Sequence, residues 1–374
     1  MAKPDLILFF GRLGDGPAQA LVQDARLAAT LDTVEAARQT GAFDRMVIAT
    51  DAAELFEDLP AGVELDPDTH LHHFGQRLAE LVQRLGSQSV LYLGGGSLPL
   101  LDAEELAEMA GRLVSEQRFV ISNNPFSSDL VGWRPANAME LVAGAASDNA
   151  LARLLAEAGL EPQPLPRNVV TQFDIDSPAD LAVLKLAGQG GPRLRAWLAG
   201  ADVALSRYLR LLPVLTQGGA QLLVAGRVGS HVMQYLESET ACRTRIVSEE
   251  RGMVADGRQG GGEARSLLAL YIEEAGIGGF FEALAQLCDA AVIDTRVLLT
   301  HRGDQPGTEE RFLSDLGRWQ DIGEPFLRDF TRAACECDLP VLLGGHSLVS
   351  GGLMLLVEHA WQEHDRAIAV DDSV

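Results

Sequence analysis

Cysteine is scarce in this chain: the four residues Cys242, Cys288, Cys335 and Cys337 contain a single C-x-C pair, with no second pair and no histidine nearby. That spacing falls short of a zinc site and offers no disulfide framework, so reduced thiols and a cytoplasmic location are expected. Positive charge is also in short supply. Lys and Arg total 30 against 53 Asp and Glu, a formal net charge of -23, and no basic stripe with interleaved aromatics occurs. A surface of that sign repels phosphate backbones and anionic membranes, which excludes nucleic acid and membrane as expected partners. The acidity itself needs no further cause than solubility. Long apolar runs are missing too. Residues 6–10 are too few for a signal-peptide core, and no stretch approaches the roughly 18 residues of a membrane span, so the chain is expected to be soluble and unprocessed.

What is present is material for two cores. Hydrophobic residues make up 47% and charged residues 22% of 374 positions, more chain than one core usually organises. Apolar runs predict strands at residues 6–10, 45–50, 89–93, 118–122 and 169–175. Helical spacing predicts helices over 18–40, 73–85, 102–116 and 149–158. Residues 188–192, three glycines and a proline around one glutamine, are the expected linker. Beyond it the pattern predicts a helix over 194–212 and strands at 221–225, 243–247, 290–294 and 339–343. Further helices are expected at 230–239, 263–275, 279–287, 325–336 and 351–363, with an acidic, frayed tail from 367. Strand and helix alternate throughout, the mark of α/β architecture with mostly parallel sheets. Two domains are expected, 1–187 and 193–374.

Ligands of open α/β sheets gather where the strands end. The first strand runs into Gly11-Arg12-Leu13-Gly14-Asp15-Gly16, whose glycines would let backbone N–H groups approach a phosphate while Arg12 supplies charge. An ordinary strand-to-helix turn would also use glycine there. The third expected strand ends in Leu91-Tyr92-Leu93-Gly94-Gly95-Gly96-Ser97-Leu98-Pro99-Leu100-Leu101. Later comes Phe173-Asp174-Ile175-Asp176-Ser177-Pro178-Ala179-Asp180-Leu181. On a strand, Asp174 and Asp176 would point the same way and could share a divalent cation. Ser177-Pro178 with Asp180 reads as a helix cap, for which the same acids could be turn residues.

The order of these three segments resembles the nucleotidyltransferases of the nucleotide-diphospho-sugar transferase fold. Within that group it is most similar to the molybdenum cofactor and 2-phospho-lactate guanylyltransferases, over about residues 5–187. The resemblance implies a mostly parallel three-layer sheet followed by a second α/β domain. It further implies transfer of a nucleotidyl group from a nucleoside triphosphate to a small phosphorylated or hydroxylated acceptor, assisted by Mg²⁺. Carried across, Gly11, Arg12 and Gly14 fall on the phosphate loop, Gly96 and Ser97 on the middle motif, and Asp174 and Asp176 on the metal site, with Arg12 and Asp174 in catalytic roles. Two departures stand out. Ser97 occupies the usual aspartate position, and no lysine lies between Gly11 and Thr40. Asp51, Asp102, Asn123, Asn124 and Asp129 are candidates to rebuild the site, Asn123 as a nucleotide contact, though each is also a common turn residue. The departures favour an alternative, a degenerate nucleotide-binding scaffold or sensor whose activity, if any, lies in the second half. Glycosyl transfer from a nucleotide sugar ranks below both.

Two more glycine turns occur in the second half, at Gly226-Arg227-Val228-Gly229-Ser230-His231 and Gly344-Gly345-His346-Ser347, each at a strand end before a helix. With Asp294, Arg296, His301 and Arg302 they would suit a phosphorylated or carboxylated small molecule, or simply make tight turns. His70, His72 and His73 form a cluster that could bind a transition metal, or sit as solvated loop residues. Association into a homo-oligomer is left open by the sequence.

Overall fold

A computed structural model describes residues 2–68, 73–254, 257–304 and 306–371. Its first sheet grows from the apolar run that opens the chain. Strand β1 (Asp5–Phe10) lies between β2 (Met46–Thr50) and β4 (Val90–Gly94), parallel to both, and β3 (Val63–Pro67) extends the sheet beyond β2. On the other flank β6 (Leu130–Arg134) runs antiparallel to β4 and to β5 (Phe119–Ser122), and β7 (Glu161–Pro164) pairs parallel with β5. The order is β3-β2-β1-β4-β6-β5-β7, a mostly parallel sheet with β6 reversed.

Alternation along β1 divides the core in two. Leu6, Leu8 and Phe10 join Val34 and Ala37 of helix Pro17–Thr40 and Leu106, Met109 and Leu113 of helix Ala103–Ser115. Ile7 faces the other way, with Leu78 and Leu81 of helix Phe74–Leu85 and Leu151 and Leu155 of helix Leu151–Glu157. With both faces covered, the central strands are apolar at nearly every position. The edges differ. β3 reads Val-Glu-Leu-Asp-Pro and β7 reads Glu-Pro-Gln-Pro, sequences suited to an edge that must not pair further.

The second sheet is all parallel, in the order β11-β10-β8-β9, from β8 (Gln221–Gly226), β9 (Arg243–Ser248), β10 (Ala290–Asp294) and β11 (Val341–Gly344). Helices Ser230–Glu239, Thr295–Arg302, Thr308–Leu316, Pro325–Glu336 and Leu353–Asp371 belong with it, as does Leu267–Leu287, which kinks at Gly276.

Two expectations need correction. Residues 169–175 do not form a strand: Val169–Gln172 is a short helix, because the Asn168 side chain accepts from Thr171 N–H while Asn168 N–H donates to Thr171 Oγ1. The helix expected over 194–212 is two helices, Pro192–Gly200 and Ser206–Thr216. The described chain divides into two compact units. One compact unit takes the chain up to Leu13, Gln23–Gln172 and Gly190–Trp197; the other takes Gly14–Val22, Phe173–Gln189 and everything from Leu198 onward. No helix among the described residues is long and apolar enough to cross a membrane.

Trp133 is the largest fully buried side chain, and its indole N–H donates to Ala136 O at 3.1 Å. Trp133→Ala is expected to cost about 3–5 kcal/mol, read as a lowered urea midpoint at unchanged slope. A loss below about 1 kcal/mol would mean that this face of the sheet collapses around the cavity.

Candidate functional site

In the seven-stranded sheet, β1 and β4 are neighbours whose connections leave in opposite directions, β1 to β2 on one side and β4 to β5, beyond β6, on the other. A crevice at the carboxyl ends of such strands is where open α/β sheets bind ligands. Both ends are glycine turns. Past β1, no atom lies within 4 Å of where a Gly11 side chain would begin. Arg12 N–H donates to Asp51 Oδ1 at 2.8 Å, its guanidinium pairs with Glu54, and Leu13 N–H donates to Gln23 Oε1.

Past β4 the backbone is crowded. Gly95 N–H donates to Phe9 O, and a side chain on Gly95 would come within 2.9 Å of the Phe10 Cα. Gly96 has φ +82° and faces Arg26, whose Nε donates to Gly95 O at 2.9 Å. Ser97 is buried, and Leu98, also buried, holds φ at 47°. Positive φ in a bulky residue is strained, and such strain concentrates at ligand and active sites.

Asn123 is occupied in holding the β5–β6 turn. Its Oδ1 accepts from Asp129 and Leu130 N–H, and its Nδ2 donates to Asp129 and to Thr171 O. Asp102 caps helix Ala103–Ser115, and Asn124 accepts from Phe126 N–H. These residues behave as turn and cap residues.

Gly14 belongs to the other unit, with φ +135° and Gln19 packed where a side chain would go. The amides that follow, Ala18 N–H and Gln19 N–H, donate at 2.9 Å to the two carboxylate oxygens of Glu309. The spot where a phosphate would rest on a helix start thus holds one of the chain's own carboxylates.

The late motif lies in the same unit as Glu309. Because 173–177 is not a strand, the two-residue spacing of Asp174 and Asp176 does not set them on a common face. Asp174 Oδ1 accepts from Ile175 N–H, while its main chain exchanges two hydrogen bonds with Ser347 Oγ. Asp176 is exposed. The cap of helix Pro178–Ala187 is made by Asp180, whose Oδ2 accepts from Asp176 N–H, Ser177 N–H and Ser177 Oγ. Among the described residues no three His, Cys, Asp or Glu side chains converge to hold a metal. With Ser97 supplying only a hydroxyl and Asp174 bonded to its own turn, these residues do not fit a resident Mg²⁺. His73 directly precedes helix Phe74–Leu85, and His70 and His72 lie outside the described residues.

In the four-stranded sheet the corresponding divergence lies between β8 and β10. Gly226 at the end of β8 has φ +118°, and a side chain there would strike Asp294. Arg227 donates to both oxygens of Asp294, which also accepts from Arg296 N–H. Burial pushes Asp294 upward, but the Arg227 charge and hydrogen bonds and then Arg296 outweigh it, leaving its pKa below the ordinary value. Arg296 in turn grips Asp315 with both Nη atoms. Burial, then the Arg227 charge, lowers the His346 pKa, and its Nδ1 is buried with no hydrogen-bond partner among the described residues. His301 Nδ1 accepts from Ser266 N–H, and Arg302 pairs with Asp304 and lies 3.8 Å from the centre of the Phe326 ring. Arg227, Asp294 and Arg296 therefore meet, while His301 and Arg302 serve local packing. Glu54 and Glu309, which decide what is neutralised, carry no motif that marks them in the sequence, whereas Asp180 stands in the cap motif.

No family model matches the chain, and no curated protein matches it. About half of it is similar to solved structures. One, from Desulfovibrio desulfuricans, is described as a nucleotide-diphospho-sugar transferase (19% identity, 53% of this chain and 95% of that one, TM-score 0.40). A second is a cytidylyltransferase from Leptospira borgpetersenii (14% identity, 50% and 87%, TM-score 0.40). A third is a CMP:2-keto-3-deoxy-manno-octonic acid synthetase complexed with CTP (13% identity, 43% and 89%, TM-score 0.31).

The Asp180 cap makes its own prediction. Burial, then the nearby Asp176 charge, raise its pKa well above the ordinary carboxylate value, against the three hydrogen bonds it accepts. A raised folded-state value means the stabilisation is complete below the unfolded pKa and is lost as pH rises through the folded one. Asp180→Asn keeps an accepting oxygen but cannot ionise. The melting temperature of the wild type minus that of Asp180→Asn should therefore fall as pH is taken from acid to neutral. Asp180→Ala, which strands two amides, should cost about 1–3 kcal/mol at any pH. A difference between wild type and Asp180→Asn that does not change with pH would refute the buried, proton-holding carboxyl.

Proposed function

We propose that the seven-stranded unit binds a nucleoside triphosphate at the β1/β4 divergence and that the chain is a nucleotidyltransferase. It would move a nucleotidyl group to a small phosphorylated or hydroxylated acceptor with release of pyrophosphate. The observation that carries this reading is the pair of glycine turns flanking the divergence, one open at Gly11 and one held tight at 94–98 with strained backbone at Leu98. Arg12 is the exposed cation at the open turn, while Arg26 is bound to the middle turn through Gly95 O. The pair of Arg12 with Glu54 is exposed on both sides, at 41% and 60%, so it holds Arg12 only weakly. A polyphosphate, carrying more charge than one carboxylate, would displace Glu54 and take the guanidinium. Such transfer depends on positioning and charge neutralisation, and any Mg²⁺ would arrive with the triphosphate.

A second reading, nucleotide binding without turnover, is favoured by one observation: Ser97 gives the middle turn a hydroxyl where transfer calls for a carboxylate. The two are separated by experiment. Calorimetric titration with ATP, GTP, CTP and UTP in the presence of Mg²⁺ should give saturable binding of at least one. Arg12→Ala should weaken it about tenfold and Glu54→Gln should strengthen it. Pyrophosphate release with a panel of small alcohols and phosphate esters then marks a transferase, and occupancy without release marks a scaffold. Failure of all four nucleotides to bind would end both readings.

A further inference from the structure

We propose that the four-stranded unit holds a second, independent binding site, for a small oxyanion-bearing molecule, an organic phosphate or carboxylate. The site is the cavity at the carboxyl ends of β8 and β10 into which Arg227, Arg296 and Arg311 face. It stands on this unit alone and owes nothing to the nucleotide reading.

Place and size come first. The cavity lies at the divergence between β8 and β10, the position where an open parallel sheet leaves room for a ligand. Its volume is about 730 Å³, ample for a metabolite-sized molecule, and Met253, Leu299 and Pro306 give it an apolar wall.

Charge decides the ligand. The carboxylates that fix two of the three arginines, Asp294 and Asp315, are fully buried and do not line the cavity, whereas their guanidinium partners do. Those pairs set Arg227 and Arg296 rigidly in the wall. Arg311 is different. It donates to Pro306 O at 3.3 Å and to Thr308 Oγ1 at 3.1 Å, both neutral acceptors, and makes no ion pair among the described residues. Burial, and then the positive charge of Arg296, press its pKa below the ordinary value and outweigh the opposing charge of Asp315, whose oxygens are bound to Arg296. Among the described residues the single acidic member of the lining is Asp304, which accepts from Arg302 Nε at 2.6 Å. The wall therefore carries a guanidinium whose hydrogen bonds go only to neutral acceptors, the acid nearest in effect, Asp315, being paired with Arg296, within a chain whose net charge is -23. A ligand oxyanion supplies the missing charge, and the planar fork of arginine suits both phosphate and carboxylate. Lys3 and Lys185 are the only lysines in the sequence, so recognition of anions here falls to arginine.

The test uses the full chain and two probes, inorganic phosphate and citrate, titrated calorimetrically at matched ionic strength. Arg311→Met removes the unpaired charge without stranding a buried acid and should weaken binding about ten- to hundredfold, with Arg311→Lys retaining part of it. Gln259→Glu, at an exposed position of the lining, sets a negative charge against the ligand and should weaken binding even if the Arg311 variants fold poorly. Saturable binding of either probe that falls in these variants supports the site, and the better probe tells phosphate from carboxylate. No saturable binding of either probe, or binding that ignores these variants while vanishing in Arg12→Ala, would overturn it.

Discussion

Carboxylate in excess is the constraint under which this molecule is built. With 53 acids to 30 bases, positive groups at the strand ends are met by the chain's own acids. Glu54 faces Arg12, Glu309 fills the start of helix Pro17–Thr40, Asp294 holds Arg227 and Asp315 holds Arg296. An acidic chain can still bind an anion, but only where an internal carboxylate can be exchanged or where none was supplied. Burial separates these cases. Removing one member of a buried pair leaves an uncompensated charge in low dielectric, so Arg227–Asp294 and Arg296–Asp315 are fixtures that position guanidinium groups. An exposed pair such as Arg12–Glu54 gains little from its contact and yields to a stronger anion. Arg311 is the remaining case, a cation that makes no ion pair among the described residues and shares the field of Asp315 with Arg296.

Much of the fold was legible because burial on both faces writes itself into sequence. Strands β1, β2, β4, β5, β8 and β10 are nearly continuous apolar runs, and the runs alone place them. The strands that went unseen, β3 and β7, are edges whose prolines and charges look like loop, and β6 carries a glycine and an arginine in its five residues. Local chemistry also misled at 169–175. The apolar content suggested a strand, but the reciprocal Asn168–Thr171 hydrogen bonds start a helix turn, a competition that composition does not reveal.

The sites were legible only where a residue acts on its sequence neighbours. Ser177, Pro178 and Asp180 could be read as a cap because a cap is a local device, and the structure assigns the capping oxygen to Asp180. The residues that set the charge of each site act from far away. Glu309 bonds Ala18 from 291 positions along the chain, and Asp315 reaches Arg296 from 19. No motif records such a meeting, because it depends on which helix the topology returns to which strand end.

The glycines illustrate the same division between local demand and distant partnership. Gly95 and Gly226 look alike in sequence, each closing an apolar strand, yet the first is required because Phe10 leaves no room and the second because Asp294 does. A phosphate loop needs glycine so that the ligand can approach the backbone; these two need it so that the protein can. What distinguishes Gly11 is that its open side faces no protein atom within 4 Å. Neither packing nor a left-handed φ calls for that glycine, and its backbone is left open to approach, which is what a ligand uses. It is this contrast between a loose turn on β1 and a strained, packed turn on β4, rather than glycine content, that gives the β1/β4 divergence the character of a site: one side rigid enough to position, the other open enough to admit.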